Sequence, residues 1–297
     1  MARDIQTVVS GMHFLEGPRW HAGRIWFSDF YSHQVYSARE DGSELRVEAR
    51  VAQQPSGMGW LPDGRLLIVS MRDRKLLRRE ADGSLVTHAD LSRHAGGHVN
   101  DMVVDAQGRA FVGDFGFDLM GGAPFQPTGL WRVDPDGTVH KVADDLWFPN
   151  GAVITDKGEL RVCETFANRV TAFDIGADGS LSHRRTWAKF GEPPTSTDVG
   201  QAVGQAVVAG DGCCLDAEGA MWIADAVHGR VVRVREGGQI VDEIQPGNGA
   251  FACMLGGADG HTLFICAAPD FHEHARAAAT EARLLAVRVD VPRAGRP

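Results

Sequence analysis

The chain predicts an all-β fold, a six-bladed β-propeller with four-stranded blades, and three observations predict it. A turn glycine, one variable residue and an apolar strand recur six times along the 297 residues. A second turn glycine follows each of the first five. The repeat length, 41 residues or more between successive turn glycines, is the period of four short strands per unit.

The units follow one another in order. The first is Ala22-Gly23-Arg24-Ile25-Trp26-Phe27 and the second Asp63-Gly64-Arg65-Leu66-Leu67-Ile68. The third and fourth are Gln107-Gly108-Arg109-Ala110-Phe111-Val112 and Lys157-Gly158-Glu159-Leu160-Arg161-Val162. The last two are Glu218-Gly219-Ala220-Met221-Trp222-Ile223 and Asp259-Gly260-His261-Thr262-Leu263-Phe264. The second turns fall at Gly42, Gly83, Gly137, Gly179 and Gly238. The first four of these are Asp-Gly pairs, which predict type I′ hairpins because both central residues of that turn take positive φ. A blade buries its two faces only against neighbours, so the ring must close. Residues 3–9 and the alternating segment Ala282 to Val291 are predicted to share the closing blade, which makes residues 1–297 a single propeller domain. Two stacked sandwiches are the competing architecture, and the regular two-turn spacing argues against them.

Two units carry inserts. One lies between Asp114 and Leu130 and contains Phe115, Phe117 and Met120; its aromatic content suits a pocket wall. The other runs from Trp187 to Gly210 and reads equally as a lid or as a surface loop.

Acidic residues outnumber basic ones, 39 to 30, for a net charge of −9, which argues against a nucleic-acid partner held through phosphates. There is no run of 18 apolar residues for a membrane span and no leader signature, so a soluble, cytoplasmic protein is expected. The five cysteines, with no CxxC pair, read as reduced core residues.

Polar residues recur in one phase. Eight positions before the turn glycine stand Ser56, Asn100, Asn150, Asp211 and Ala252; allowing for a shorter first turn, Glu16 is their equivalent. In a propeller this is the start of the innermost strand, at the mouth of the central channel. Glycine follows in four units (Gly17, Gly57, Gly151, Gly212), which permits close approach of backbone or of a bound group. Singly, such Asn and Asp residues read as strand-capping turn formers. Four in register read as a site. Two carboxylates and two carboxamides converging in one place repel and are costly to desolvate unless a cation joins them. All are hard oxygen donors, so one divalent ion is expected, Ca2+ first, with Mg2+, Mn2+, Zn2+ or Fe2+ as alternatives.

At these residues the sequence resembles the senescence-marker-protein-30/gluconolactonase/luciferin-regenerating-enzyme family. The resemblance is carried by Glu16-Gly17-Pro18, Asn100-Asp101, Pro149-Asn150-Gly151 and Asp211-Gly212, and covers about residues 12–270. It implies a six-bladed propeller with one divalent cation in the channel mouth, Glu16, Asn150 and Asp211 as metal ligands, and Asn100 on the metal or substrate side. It also implies a lactonase, with a small lactone or ester as the partner. Asp211 is then the expected general base, while Asn100, His98, Asp101, Phe115 and Phe117 are expected to meet the substrate. The chain departs from the pattern at His98-Val99-Asn100-Asp101-Met102, where sugar-lactone enzymes of the family tend to carry Arg in place of His98 and Gly in place of Met102. A less polar lactone or ester is expected in consequence. An arylesterase or other hydrolase, and a non-enzymatic binding propeller, are the competing functions on the same scaffold. A serine hydrolase is disfavoured by the absence of a Gly-x-Ser-x-Gly elbow.

Overall fold

The computed structural model describes residues 3–295, and its strands form six antiparallel four-stranded sheets. Blade 1 comprises Leu15–His21, Arg24–Asp29, Gln34–Ala38 and Arg46–Arg50, and blade 2 comprises Pro55–Trp60, Leu66–Ser70, Lys75–Arg79 and Leu85–Asp90. Blade 3 is Val99–Val104, Ala110–Asp114, Thr128–Val133 and Val139–Leu146; blade 4 is Pro149–Ile154, Glu159–Glu164, Arg169–Ile175 and Leu181–Lys189. Blade 5 is Gly210–Leu215, Met221–Asp225, Arg230–Val234 and Ile240–Ile244. Blade 6 takes Gly249–Gly256, Thr262–Ala268 and Ala282–Arg288, and its outermost strand is Ile5–Met12. Ile5 pairs with Val287 and Gln6 with Ala286, so the predicted shared blade is present. The six inner strands contact one another in a closed cycle and make the ring of a six-bladed propeller.

Burial follows from that ring. Inner strands are packed on both sides by neighbouring blades, and second strands such as Leu66–Ser70 are buried at every position. Outer strands such as Val139–Leu146 show mixed exposure, because only one end and one face are covered. Cys213 and Cys214 point into different core clusters, as neighbours on a strand must, and all five thiols are free and buried.

The turns correct one expectation. In the four Asp-Gly hairpins only the glycine is left-handed; none of Asp41, Asp82, Asp136 or Asp178 takes positive φ. Each aspartate instead accepts the amide two residues on, for example Ser43 N at 2.9 Å. The hairpin is thus a right-handed turn closed by a left-handed glycine, stabilised by a side-chain-to-backbone bond that type I′ geometry would not use. Type I′ geometry occurs at the short turn of the first unit. There His21 pairs with Arg24, and Ala22 and Gly23 have φ of 50° and 74°.

Two helical segments lie in connections between strands, Val199–Gly204 in the predicted second insert and Glu273–Ala278 in a third that the repeat pattern does not reveal. Among the described residues no helix is long and apolar enough to cross a membrane.

Candidate active site

All six inner strands break register with their partners near the start, between Glu16 and Arg19, Pro55 and Met58, Val99 and Met102, Pro149 and Ala152, Gly210 and Cys213, and Ala250 and Ala252. Such bulges bend a strand and re-aim its side chains. The predicted phase residues stand on these bulges, and Glu16, Ser56, Asn100, Asn150 and Asp211 are all buried. The glycines that follow bring neighbouring blades together. A Cβ on Gly151 would lie 2.3 Å from the Asp211 carbonyl oxygen, and one on Gly212 would lie 2.4 Å from the Ala252 Cβ. Close approach of backbones, rather than room for a ligand, explains them.

Hydrogen bonds join three of the phase residues, Ser56, Asn100 and Asn150. Ser56 Oγ donates to Asn100 Oδ1 at 3.0 Å, and Asn100 Nδ2 donates to Asn150 Oδ1 at 2.9 Å. Asn150 Nδ2 donates to Thr165 Oγ1 at 3.2 Å, and the Asn150 side chain and Gly212 amide partly offset the effect of burial on the Asp211 carboxyl. Glu16 Oε2 accepts its own neighbour, the Gly17 amide, at 3.2 Å. Burial holds the Glu16 carboxyl well above the ordinary carboxylate range, and the charges of Asp211 and Asp101 add to the effect. Burial does the same for Asp211, followed by the charge of Asp101. The Cys266 thiol, buried on the second strand of blade 6, is pushed up by burial first and then by Glu16 and Asp211.

The nearest guanidinium offsets Glu16 only in small part, because its hydrogen bonds go elsewhere. Arg19 Nη2 bonds Asp101 Oδ1 and the Met102 carbonyl oxygen, both at 2.7 Å, and Nη1 bonds the Pro18 carbonyl at 2.8 Å. Arg19 and Asp101 thus form a buried ion pair between blades 1 and 3. Asp101 Oδ1 also takes the Met102 amide, so both recorded bonds fall on one oxygen of that carboxyl. Arg19, three residues after Glu16 on the same strand, has no counterpart in the repeat, and the sequence pattern does not signal it.

Glu16 and Asp211 bring two carboxyl groups into a buried space near the Asn150 side chain, and among the described residues no cationic side chain bonds either of them. The set offers hard oxygen donors, and a divalent ion fits it in both charge and ligand type. Among the described residues no cluster of three or more His, Cys, Asp or Glu forms a metal-ligand group, since only two of these donors are carboxylates.

Aromatic rings flank the mouth on two sides. Phe115 packs on Phe148 with centroids 4.6 Å apart, Phe148 on Phe166 at 5.2 Å, and Phe117 on Phe125 at 5.6 Å. Across the ring, Phe14 packs on Phe251 at 4.7 Å, and Phe251 on Phe271 at 6.4 Å. His98 stands 5.7 Å from Phe115, and its Nδ1 is buried without a hydrogen-bond partner. Burial depresses the His98 imidazole below its ordinary value, helped by Arg72. A cavity of about 230 Å³ is lined by His98, Phe115, Phe117, Asp118, Arg72 and Arg74, among others. Two arginines of blade 2 thus line this cavity with His98, whereas Glu16, Asn100, Asn150 and Asp211 do not line it. Arg72 also pairs with Glu273, tying the third insert to blade 2.

A second ring lies beside the first. Six residues after each turn glycine stand Asp29, Ser70, Asp114, Glu164, Asp225 and Cys266, and all are buried. The four carboxylates each accept backbone amides from the link entering their own blade: Phe14 N to Asp29, Gly97 N to Asp114, Trp147 N to Glu164 and Ala209 N to Asp225. This ring fixes the approach of each inner strand to the channel.

Fold and site together define a six-bladed propeller with a buried acidic cluster on its inner strands. The chain belongs to the SMP-30/gluconolactonase/LRE-like family, whose model matches residues 14–269. It is 27% identical to regucalcin of Xenopus laevis over 90% of this chain and 87% of that one. It is also 27% identical to pentonolactonase XacC of Haloferax volcanii, over 85% of this chain and 81% of the relative. Its fold matches the crystal structure of a calcium-binding protein, regucalcin, from Agrobacterium tumefaciens. That match has a TM-score of 0.79 at 19% identity and covers 98% of this chain and 96% of the other.

Proposed function

We propose that this chain hydrolyses the ring ester of a small lactone with the help of one divalent cation held by Glu16, Asn150 and Asp211. The observation that carries the proposal is the buried Glu16 and Asp211 pair, which among the described residues bonds no cationic side chain and is set beside the Asn150 carboxamide. The pentonolactonase relative supports the choice of substrate class. Ca2+ suits the all-oxygen donor set best. Bound there, the cation would polarise the ester carbonyl.

The chain's own residues supply the rest. Asp211, buried at the edge of the site, is placed to take a proton from the attacking water and return it to the departing ring alkoxide. Asn100, fixed between Ser56 and Asn150, holds the carboxamide oxygen in place and meets the substrate edge-on. Phe115, Phe117 and His98 line an adjoining cavity with Arg72 and Arg74, where a substituent of the substrate would lie. Asp101 Oδ1 is held by Arg19, which leaves Oδ2 for the substrate contact. The aromatic flanks favour a lactone less polar than an aldonolactone.

The test compares turnover of gluconolactone with that of an alkyl-substituted lactone, before and after EDTA and after adding back Ca2+, Mg2+ or Mn2+ singly. Loss with EDTA and recovery with one ion is the expected outcome. Hydrolysis that persists in metal-free protein would refute the cation's part, and absence of turnover with every lactone and ion would refute the activity.

A further inference from the structure

The hydrogen-bonded arc of blades 2 to 5 does not stop at Asn150. Thr165 Oγ1, which accepts from Asn150 Nδ2, donates to the carbonyl oxygen of Gly210 at 2.8 Å. Gly210 directly precedes Asp211, and Thr165 directly follows the blade 4 strand Glu159–Glu164. One hydroxyl therefore links two of the candidate ligands, and Ser56, Asn100, Asn150 and Thr165 are all buried.

The polarity of this arc is forced. A carbonyl oxygen only accepts, so the single hydroxyl proton of Thr165 goes to Gly210. Toward Asn150 the hydroxyl can then only accept, and Asn150 must turn its NH2 to that side. Its oxygen faces Asn100, which must answer with its own NH2, and the Asn100 oxygen is left for the Ser56 hydroxyl. The direction set at one backbone carbonyl passes through four side chains. A carboxamide is nearly symmetric in shape, yet its oxygen binds a cation and its NH2 repels one.

We infer that Thr165 is a positioning residue that orients the Asn150 carboxamide so that its oxygen, not its nitrogen, is offered to the cation. The inference rests on the proposed cation site and adds to it a residue whose hydroxyl, not its bulk, is what matters. Thr165→Val keeps the shape and removes both hydrogen bonds; Thr165→Ser keeps the hydroxyl and removes a methyl group.

The experiment is calorimetric titration of the purified full chain with Ca2+, accompanied by circular dichroism and melting curves. Thr165→Val is expected to bind Ca2+ about tenfold more weakly than the parent, the worth of one buried hydrogen bond. Thr165→Ser is expected to stay within about threefold of the parent. Equal affinity in Thr165→Val and the parent would overturn the inference, and so would equal weakening in the Val and Ser variants, which would point to packing. If Thr165→Val does not fold, Thr165→Cys, of like size and a poor acceptor, is read in the same way. A parent protein that binds none of Ca2+, Mg2+ and Mn2+ would overturn the cation site itself, and the Thr165 role with it.

Discussion

Asp114 and Asp211 are both buried aspartates at ends of inner-lying strands, yet the protein treats them in opposite ways. Asp114 takes Trp131 Nε1 at 2.7 Å, Thr128 Oγ1 at 2.9 Å and the Gly116 amide at 2.6 Å. Glu164 and Asp225, in the same ring, each add an arginine, Arg169 and Arg230. Asp211 and its companion Glu16 have no arginine or lysine, because Arg19 is spent on Asp101. Carboxylates of the second ring serve as staples for the links between blades. The inner pair is left short of partners in the same interior, which is a poor arrangement for stability and a good one for holding an ion.

The largest expected break in this contrast is Asp211→Ala. Its lactone turnover should fall about a thousandfold or more, with an unchanged β-sheet circular dichroism spectrum. Substantial retained turnover would remove Asp211 from the chemistry. Next comes Glu164→Ala, which strands the Arg169 guanidinium and should destabilise the fold by roughly 3–5 kcal/mol, read by urea unfolding. Glu16→Gln combined with Asp211→Asn should do the reverse in the absence of divalent ions, stabilising by about 1 kcal/mol while Ca2+ no longer raises the melting temperature. If both variants lose stability alike, the distinction between the rings fails.

A pH dependence sharpens the contrast further. Burial holds the Asp114 carboxyl above its ordinary value. The folded chain then keeps that proton at a pH where the unfolded chain has lost it. The group's contribution to stability is full below the unfolded carboxylate value of about 3.9 and is lost as pH rises through the raised folded value. Asp114→Asn should flatten that part of the curve, measured by denaturant unfolding between pH 3 and pH 7; an unchanged slope would assign it to other groups. The smallest effect is expected at the far end of the arc. Ser56→Ala removes one donor to Asn100 and should weaken Ca2+ binding by about threefold or less. A loss larger than that of Thr165→Val would reverse the order of influence along the arc.

Much of this was legible from spacing. The turn glycines fix the strand phase, and phase alone brings Glu16, Asn100, Asn150 and Asp211 to one level because every blade repeats the same geometry. The second ring is equally periodic, six residues after each glycine. Its role is not periodic, since the donors that satisfy Asp29 or Asp225 come from links of differing length and composition. Arg19 and Thr165 are harder to read for the same reason. Each acts across a blade boundary, on Asp101 and on Gly210, and no local pattern records a contact between residues 82 or 45 positions apart. The third insert, with Glu273 and Phe271, breaks the repeat between two strands of the last blade, where a strand period carries no information about a helical turn. The Asp-Gly hairpins show that a residue pair can mark a turn correctly while its backbone type is decided by the aspartate's own hydrogen bond.

Ile5–Met12 finds its partner in Ala282–Arg288, whereas nearly every other strand pairs within a short hairpin. Joining segments so distant costs about 3–4 kcal/mol more chain entropy than closing a hairpin. The sixth blade is therefore the seam of the ring, and its inner strand stands between those that carry Asp211 and Glu16. Two acidic side chains stand on either side of that seam. An ion shared between them would act as a clasp, so that loading the pocket and locking the circle become one event.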